Sequence, residues 1–363
     1  MANNEKIYVD FHVIQTVPPS CVNRDDTGSP KTAVYGGATR ARVSSQAWKR
    51  AMRLMFKDML SEGDVGVRTK MIADLVAEEI QNLSPNCSEK DAQAKAKAVL
   101  ESAGLKLKED KKKEGKSVTG ALFFISPAQI HALAEIAVEQ ENNKFDKKIC
   151  ANALSSKPGY DMALFGRMVA DDPSLNFDAA AQVAHAISTH AVENEFDYFT
   201  AVDDCSPEDN AGAGHLGTVE FNSSTLYRYA TVNVTELEKM LEGRAFAAVR
   251  TFAEAFIRSM PTGKQNTFAN RTRPDAVYVT VRRDQPVNMA GAFEKPVRAG
   301  KEGYVENSIN NFVEYAKETY DDFVSEPEFA LAVGRGMEKL TETVSVDALL
   351  DALEAHLKGD EEQ

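Results

Sequence analysis

The stretch Lys6-Ile7-Tyr8-Val9-Asp10-Phe11-His12-Val13-Ile14-Gln15-Thr16 alternates along its length. Ile7, Val9, Phe11 and Val13 fall on one side, the period-2 pattern of a strand with an apolar face. A polar loop, 17–42, follows, with Pro18-Pro19, Gly28, Pro30 and Gly36-Gly37. A connection this long in a compact chain is usually functional or disordered. Helical spacing takes over at 45–60, with Ser44 or Ser45 as the cap. There Trp48, Met52, Met55 and Met59 form a core-facing stripe, and Gln46, Lys49, Arg50, Arg53 and Lys57 lie opposite. Residues 67–83, 88–103 and 127–140 also read as helices, the last opened by Ser126-Pro127. The Lys-rich segment 105–118 has no periodicity and reads as an exposed loop. Residues 177–190 fit strand or helix. Two β-rich runs, 196–202 and 216–234, flank an acidic Gly-containing stretch, the pattern of a hairpin. Thr235-Glu236-Leu237-Glu238 is a capping box opening a helical region to 260. A polar turn 261–266, a strand 275–282, a helix 305–324 and a Ser345-capped helix 346–357 complete the chain. This mixed order predicts an α+β fold with an inserted segment and a protruding hairpin, rather than two separable domains.

The 363 residues are 43% hydrophobic and 27% charged, the balance of a soluble globular protein with a large core. No apolar run approaches the ~20 residues of a membrane span, and the first residues show no apolar signal core. A cytoplasmic chain is expected. Cys21, Cys87, Cys150 and Cys205 lie far apart without metal-ligand spacing and read as reduced thiols. The net charge of −13 conceals segregation. Residues 191–220 carry eight acids and no Lys or Arg, and residues 314–363 carry fourteen acids against four bases. Residues 24–57 instead hold eight bases against two acids, and 250–301 hold ten against four. Such segregation creates local positive fields that suit a polyanion.

Several chemistries fit poorly. Gly212-Ala213-Gly214-His215-Leu216-Gly217 matches a dinucleotide fingerprint, but it follows acids and leads into a strand rather than a helix. His185 and His190 are five apart and cannot share a helix face as metal ligands. Asp25-Asp26 is the one carboxylate pair placed to hold a hard divalent ion, and Arg24 and Lys31 beside it suggest a salt-bridged loop instead. No catalytic residue, metal site or cofactor is expected.

Three stretches resemble one known family: Ser20-Cys21-Val22-Asn23-Arg24-Asp25-Asp26, Tyr35-Gly36-Gly37, and Arg40 through Arg53 (RARVSSQAWKRAMR). Further matches follow in order: Gly166-Arg167-Met168, residues 184–190, residues 197–204, His215-Leu216-Gly217-Thr218, Tyr227-Arg228-Tyr229-Ala230, Gly263-Lys264-Gln265 and residues 288–295. Together they resemble CasC, the CRISPR-associated backbone subunit family of type I-E Cascade. The resemblance is weakest at 60–160 and after 325.

The resemblance implies an RRM-like (ferredoxin-like) palm, a helical fingers insertion and a β-hairpin thumb. Laid on this chain, the palm begins at 1–60 with its RNA-binding loop and helix. The fingers take 61–160, palm follows at 161–195, the thumb takes 196–234, and 235–363 complete the palm. Copies of the chain line up along one crRNA, which pairs with target DNA, so pairing rather than protein reads sequence. The other Cascade subunits, CasA, CasB, CasD and CasE, are implied partners. Arg24, Lys31, Arg40, Arg42, Ser44, Ser45, Gln46, Lys49, Arg50 and Arg53 are candidate RNA-backbone contacts, since phosphates need cations and small polar donors. Arg167, Met168, Phe199, Thr200, Lys264 and Gln265 join them. Phe199 and Met168 are suited to pack on a displaced base. Lys144, Lys147 and Lys148 are candidate target-DNA contacts. The RNP1 pattern of an RNA-reading RRM is missing, so the sheet is expected to be scaffold. The acidic hairpin tip should face a basic surface on a neighbouring copy, because its carboxylates repel RNA phosphates. The competing expectation is a related backbone subunit that cuts bound target RNA with a metal at Asp25 or Asp26.

Overall fold

The computed structural model describes residues 6–109, 116–140, 143–169, 172–200 and 216–359. In chain order the strands are β1 (Tyr8–Ser20), β2 (Thr32–Tyr35), β3 (Ala38–Val43), β4 (Val67–Thr69), β5 (Leu107–Glu109), β6 (Ser117–Thr119), β7 (Phe123–Ile125), β8 (Ala181–Val183), β9 (Ala186–Ser188), β10 (Glu195–Thr200), β11 (Leu216–Asn233), β12 (Ala276–Arg282) and β13 (Phe329–Val333). The helices are α1 (Ser45–Met59), α2 (Ile72–Leu83), α3 (Glu89–Ser102), α4 (Pro127–Glu139), α5 (Lys147–Ser155), α6 (Tyr160–Phe165), α7 (Val234–Leu241), α8 (Ala245–Arg258), α9 (Gln265–Phe268), α10 (Val305–Asp322) and α11 (Val346–Gly359). Two compact units result. One comprises Met1–Met52, Val183–Thr231 and Phe252–Gln363, and the other Arg53–Gln182 and Val232–Thr251.

The first unit is built on a sheet in the order β13-β12-β1-β11-β9-β3-β2, with β10 paired to the outer part of β11. Counted in chain order, β1, β9, β11 and β12 stand 4-1-3-2 across the sheet. The chain between β1 and β9 includes α1, and the chain between β11 and β12 includes α8. Both faces of β1 are buried, which the alternation alone did not announce. Phe11 packs on Phe252 and Phe256 of α8, ring centroids 5.3 and 6.1 Å away. On the other face His12 meets Tyr227, Tyr229, Tyr278 and Phe312. That aromatic layer lies under α10, whose Ile309, Phe312 and Val313 are buried. Burying one such Phe side chain contributes about 1.5–3 kcal/mol.

The second unit packs α2, α3 and α4 through small residues. Ala73, Ala77, Ala92, Ala96, Ala134 and Ala137 are buried between Ile72, Val76, Ile80, Val99 and Leu133. Ser88 caps α3 by accepting from the Asp91 N–H. Ser126 and Gln129 form a reciprocal capping box at α4, with Pro127 at the first helical position.

Several sequence expectations need correction. Residues 17–42 are the end of β1, a short loop and a β2–β3 hairpin turning on Gly36 and Gly37, both at positive φ. That is the backbone a two-residue hairpin turn needs. The α1 stripe is Trp48, Met52 and Phe56, all buried, whereas Met55 and Met59 are half-buried. Residues 177–190 resolve as β8 and β9. Asn233, not Thr235, caps α7, and the helical region to 260 is broken at Glu242, which has positive φ. Part of the Lys-rich 105–118 segment pairs as β5–β6. The acidic tip, 203–215, and the glycine fingerprint up to His215 lie outside the described residues.

Candidate nucleic-acid interface

The loop after β1 is organised by its own side chains. One Asp25 carboxylate oxygen accepts from Thr27 Oγ1 at 2.7 Å, Thr27 N at 2.9 Å and Ser29 N at 3.0 Å. The Thr27 hydroxyl chiefly holds Asp25 below the usual carboxylate range. Asp25 thus shapes a turn, and the expected pairing with Arg24 or Lys31 is not formed. Asn23 Oδ1 accepts from Ser44 N at 2.8 Å, which ties the loop to the start of α1. Ser44 is the cap, its Oγ accepting from Ala47 N at 3.3 Å. Beyond it Ser45 is half-buried, Gln46 and Arg50 are exposed, and Lys49 is half-buried.

Two further cationic groups converge on this loop. Arg42 donates through Nε to the Thr32 carbonyl, and its Nη1 lies 3.1 Å from His185 Nδ1. Burial, then the charges of Arg42 and Lys31, hold the His185 pKa below its ordinary value. A neutral ring accepts from Arg42 and leaves the guanidinium its charge. From the far end of the chain, Gly263 sits against the Val22 carbonyl with no room for a side chain. This seats Lys264, in left-handed conformation, beside the loop, and Gln265 is exposed next to it. Burial raises the Cys21 thiol pKa, while the charges of Arg24 and Lys264 act the other way. Arg24, exposed, and Lys264 therefore share one neighbourhood.

Three expected phosphate ligands are structural instead. Arg40 is fully buried. Its Nη1 bonds the Ser188 and Thr189 carbonyls at 2.9 and 3.0 Å, and its Nη2 bonds those of Phe293 and Glu294 at 2.9 and 3.1 Å. It clamps the β2–β3 hairpin to β9 and to residues 293–294. Arg53 pairs with the fully buried Asp161 at 2.8 Å and donates to the Gly66 carbonyl. Arg167 is buried, bonded to the carbonyls of Leu175, Leu154 and Phe124, and burial pushes its pKa down to about 10. Its neighbour Met168 is 85% exposed. Lys144, Lys147 and Lys148 are exposed, the last two in the first turn of α5.

On the β10–β11 ribbon Phe199 lies over Gly217, where a Cβ would collide with the ring. Thr200 ends β10. Phe196 and Tyr198, 66% and 63% exposed, occupy the opposite face and escaped the sequence reading. The alternation in Phe196-Asp197-Tyr198 was the signal for them. His190 is buried: its Nε2 accepts from Thr225 N and its Nδ1 bonds the Ala191 carbonyl. Among the described residues no three His, Cys, Asp or Glu gather as metal ligands, and no helix is long and apolar enough to cross a membrane.

Fold and site define a mixed α/β scaffold, paired antiparallel, whose loops gather cations around one helix start. The chain belongs to the CT1975-like protein family, which it matches over residues 9–356. A solved chain titled as part of a CRISPR RNA-guided surveillance complex, pre-nicking, is 36% identical with a TM-score of 0.81, over 96% of this chain and 99% of that one. A second, titled CRISPR RNA-guided surveillance complex, is 31% identical with a TM-score of 0.73, over 95% and 99%. No curated protein matches the chain.

Proposed function

We propose that this chain is the non-catalytic crRNA-binding backbone subunit of a type I-E Cascade surveillance complex. Copies form a filament along the guide and present it for pairing with target DNA, with CasA, CasB, CasD and CasE as the remaining partners, in the cytoplasm. The observation that carries the reading is the convergence of Arg24, Lys31, Arg42 and Lys264 around the Asn23–Ser44 junction. Cations, Arg24 exposed and Lys31, Arg42 and Lys264 half-buried, beside small polar donors at the start of a 15-residue helix suit a phosphodiester backbone. The alternative RNA surface of an RRM, the aromatic sheet face, is covered by α10. The 4-1-3-2 strand order supports an RRM-like palm, the β10–β11 ribbon a thumb and the helical second unit the fingers. Similarity to surveillance-complex chains supports the assembly.

The protein purified from its own cells should carry RNA of uniform length, seen by absorbance ratio and denaturing gel. Heterogeneous or absent RNA would count against the reading. Asp25 serves the turn, which supports a non-catalytic loop. Regularly spaced cuts in complementary RNA with Mg²⁺, lost in Asp26→Ala, would establish the competing endoribonuclease role through Asp25 and Asp26.

A further inference from the structure

Arg228, in the C-terminal half of β11, is 1% exposed and, among the described residues, makes no ion pair with a carboxylate. Its guanidinium lies 3.7 Å from the centroid of the Trp48 ring of α1 and 4.6 Å from that of Phe256. Nη2 bonds the Phe256 carbonyl in the last turn of α8, and Nη1 donates to Gln15 Oε1 at 2.6 Å. Nε has no partner. Burial lowers the pKa to about 9, so the group stays charged at neutral pH. An apolar side chain would fill this space without burying an unpaired cation. The charge therefore calls for an explanation beyond filling the core.

The bonds around Arg228 supply one. Gln15, held by Arg228, donates from Nε2 to the Thr272 carbonyl at 3.0 Å and lies 3.2 Å from Thr272 Oγ1. Two residues before Thr272, the buried Asn270 donates to the Gly263 carbonyl at 3.4 Å. Gly263 is the residue that seats Lys264 on the loop. Arg228 thus touches α1 through Trp48 and reaches the Lys264 turn through Gln15. A planar fork can stack and direct two bonds at once, which a Lys cannot.

We infer that Arg228 is a positioning residue for nucleic-acid binding: it fixes α1 and the Lys264 turn relative to each other, so that their cations meet one phosphodiester strand together. The inference rests on the function proposed above. A double-mutant cycle on the full-length protein, read by binding of a labelled single-stranded RNA, tests it. In the wild-type background Lys264→Ala should weaken binding about tenfold. In Arg228→Met the same change should cost no more than about twofold, because the turn is no longer held in register. Arg228→Met should unfold at a temperature equal to or above that of wild type, since an unpaired buried charge is removed. If it does not fold, Gln15→Met, which keeps the arginine and cuts the link to Thr272, should give the same pattern. Equal Lys264→Ala losses in both backgrounds would overturn the inference. A wild-type chain that binds no RNA would overturn the functional reading, and the inference with it.

Discussion

Arginines in this chain divide by what their guanidinium can reach. Arg40, Arg167 and Arg228 spend their donors on carbonyls inside the fold, and Arg53 meets Asp161, whereas Arg42 remains at the surface. Nothing in a sequence separates these cases, because a buried arginine's partners are oxygens, mostly of the backbone, brought in from distant segments. Arg40 draws its four from residues 188–189 and 293–294. Arg42 and Arg40 should respond oppositely. Arg42→Ala should weaken RNA binding and lower the slope of log affinity against log salt by about 0.7, one released counterion on a single strand. Arg40→Met should lower thermal stability and leave the salt slope unchanged; an altered slope would restore Arg40 as a phosphate ligand. A buried histidine adds a pH signature. His12, held 2.9 Å from Tyr227 Oη, has its pKa pushed down to about 3 by burial and the Arg282 charge. Unfolded, it titrates near 6.5. The folded state therefore binds that proton less well, so the contribution of His12 is complete above pH 6.5 and is lost as pH falls toward 3. Asp10, raised to about 6 by burial, works the other way, costing stability as pH rises from 4 to 6. Relative to His12→Phe, the wild type should lose about 1.4 kcal/mol per pH unit below 6.5. Urea unfolding at pH 7, 6 and 5 measures this, and a constant difference would show that His12 is charged in the fold.

Elements with their own start signals were legible. Ser126-Pro127 and Ser345 mark α4 and α11 because capping is local chemistry. The β2–β3 hairpin was missed although it carries a Gly-Gly turn, since its strands are too short and polar to show alternation. Its placement depends on tertiary contacts. Tyr35 Oη donates to the Ala290 carbonyl at 3.2 Å, and a Cβ on Gly36 would strike the Glu294 carbonyl. The recognised motif at 288–295 is therefore the dock for the hairpin that carries Arg42. Gly36→Ala combines this collision with a positive φ and should cost about 1–3 kcal/mol of stability. RNA binding should fall with it, because Arg42 lies in β3 of that hairpin. Chemical denaturation and RNA binding on the same variant give both readings; a destabilised variant with full RNA affinity would detach the hairpin from the site. The strands β10 and β11 were visible as β-rich runs, but which aromatic faces which way was fixed only by the register of Phe199 on Gly217.

At the scale of the molecule, charge segregation sets the terms of assembly. The chain carries −13 overall, yet its cations gather at the loop and the α1 start. Two free copies approaching at random therefore repel, and the repulsion is longest-ranged at low salt, about 30 Å at 0.01 M against about 8 Å at physiological ionic strength. Under the proposed function RNA would change the balance, because phosphates would neutralise each copy's cationic loop and leave the acidic parts to find a neighbour's remaining bases. Copies should then add along the strand in proportion to its length, with no preference for sequence, since the contacts proposed here are to the backbone. Mass photometry on single-stranded RNAs of increasing length should show one added copy per fixed number of nucleotides, and monomers alone without RNA at low salt. Oligomers that form equally well without RNA would show that protein contacts, not the strand, organise the assembly.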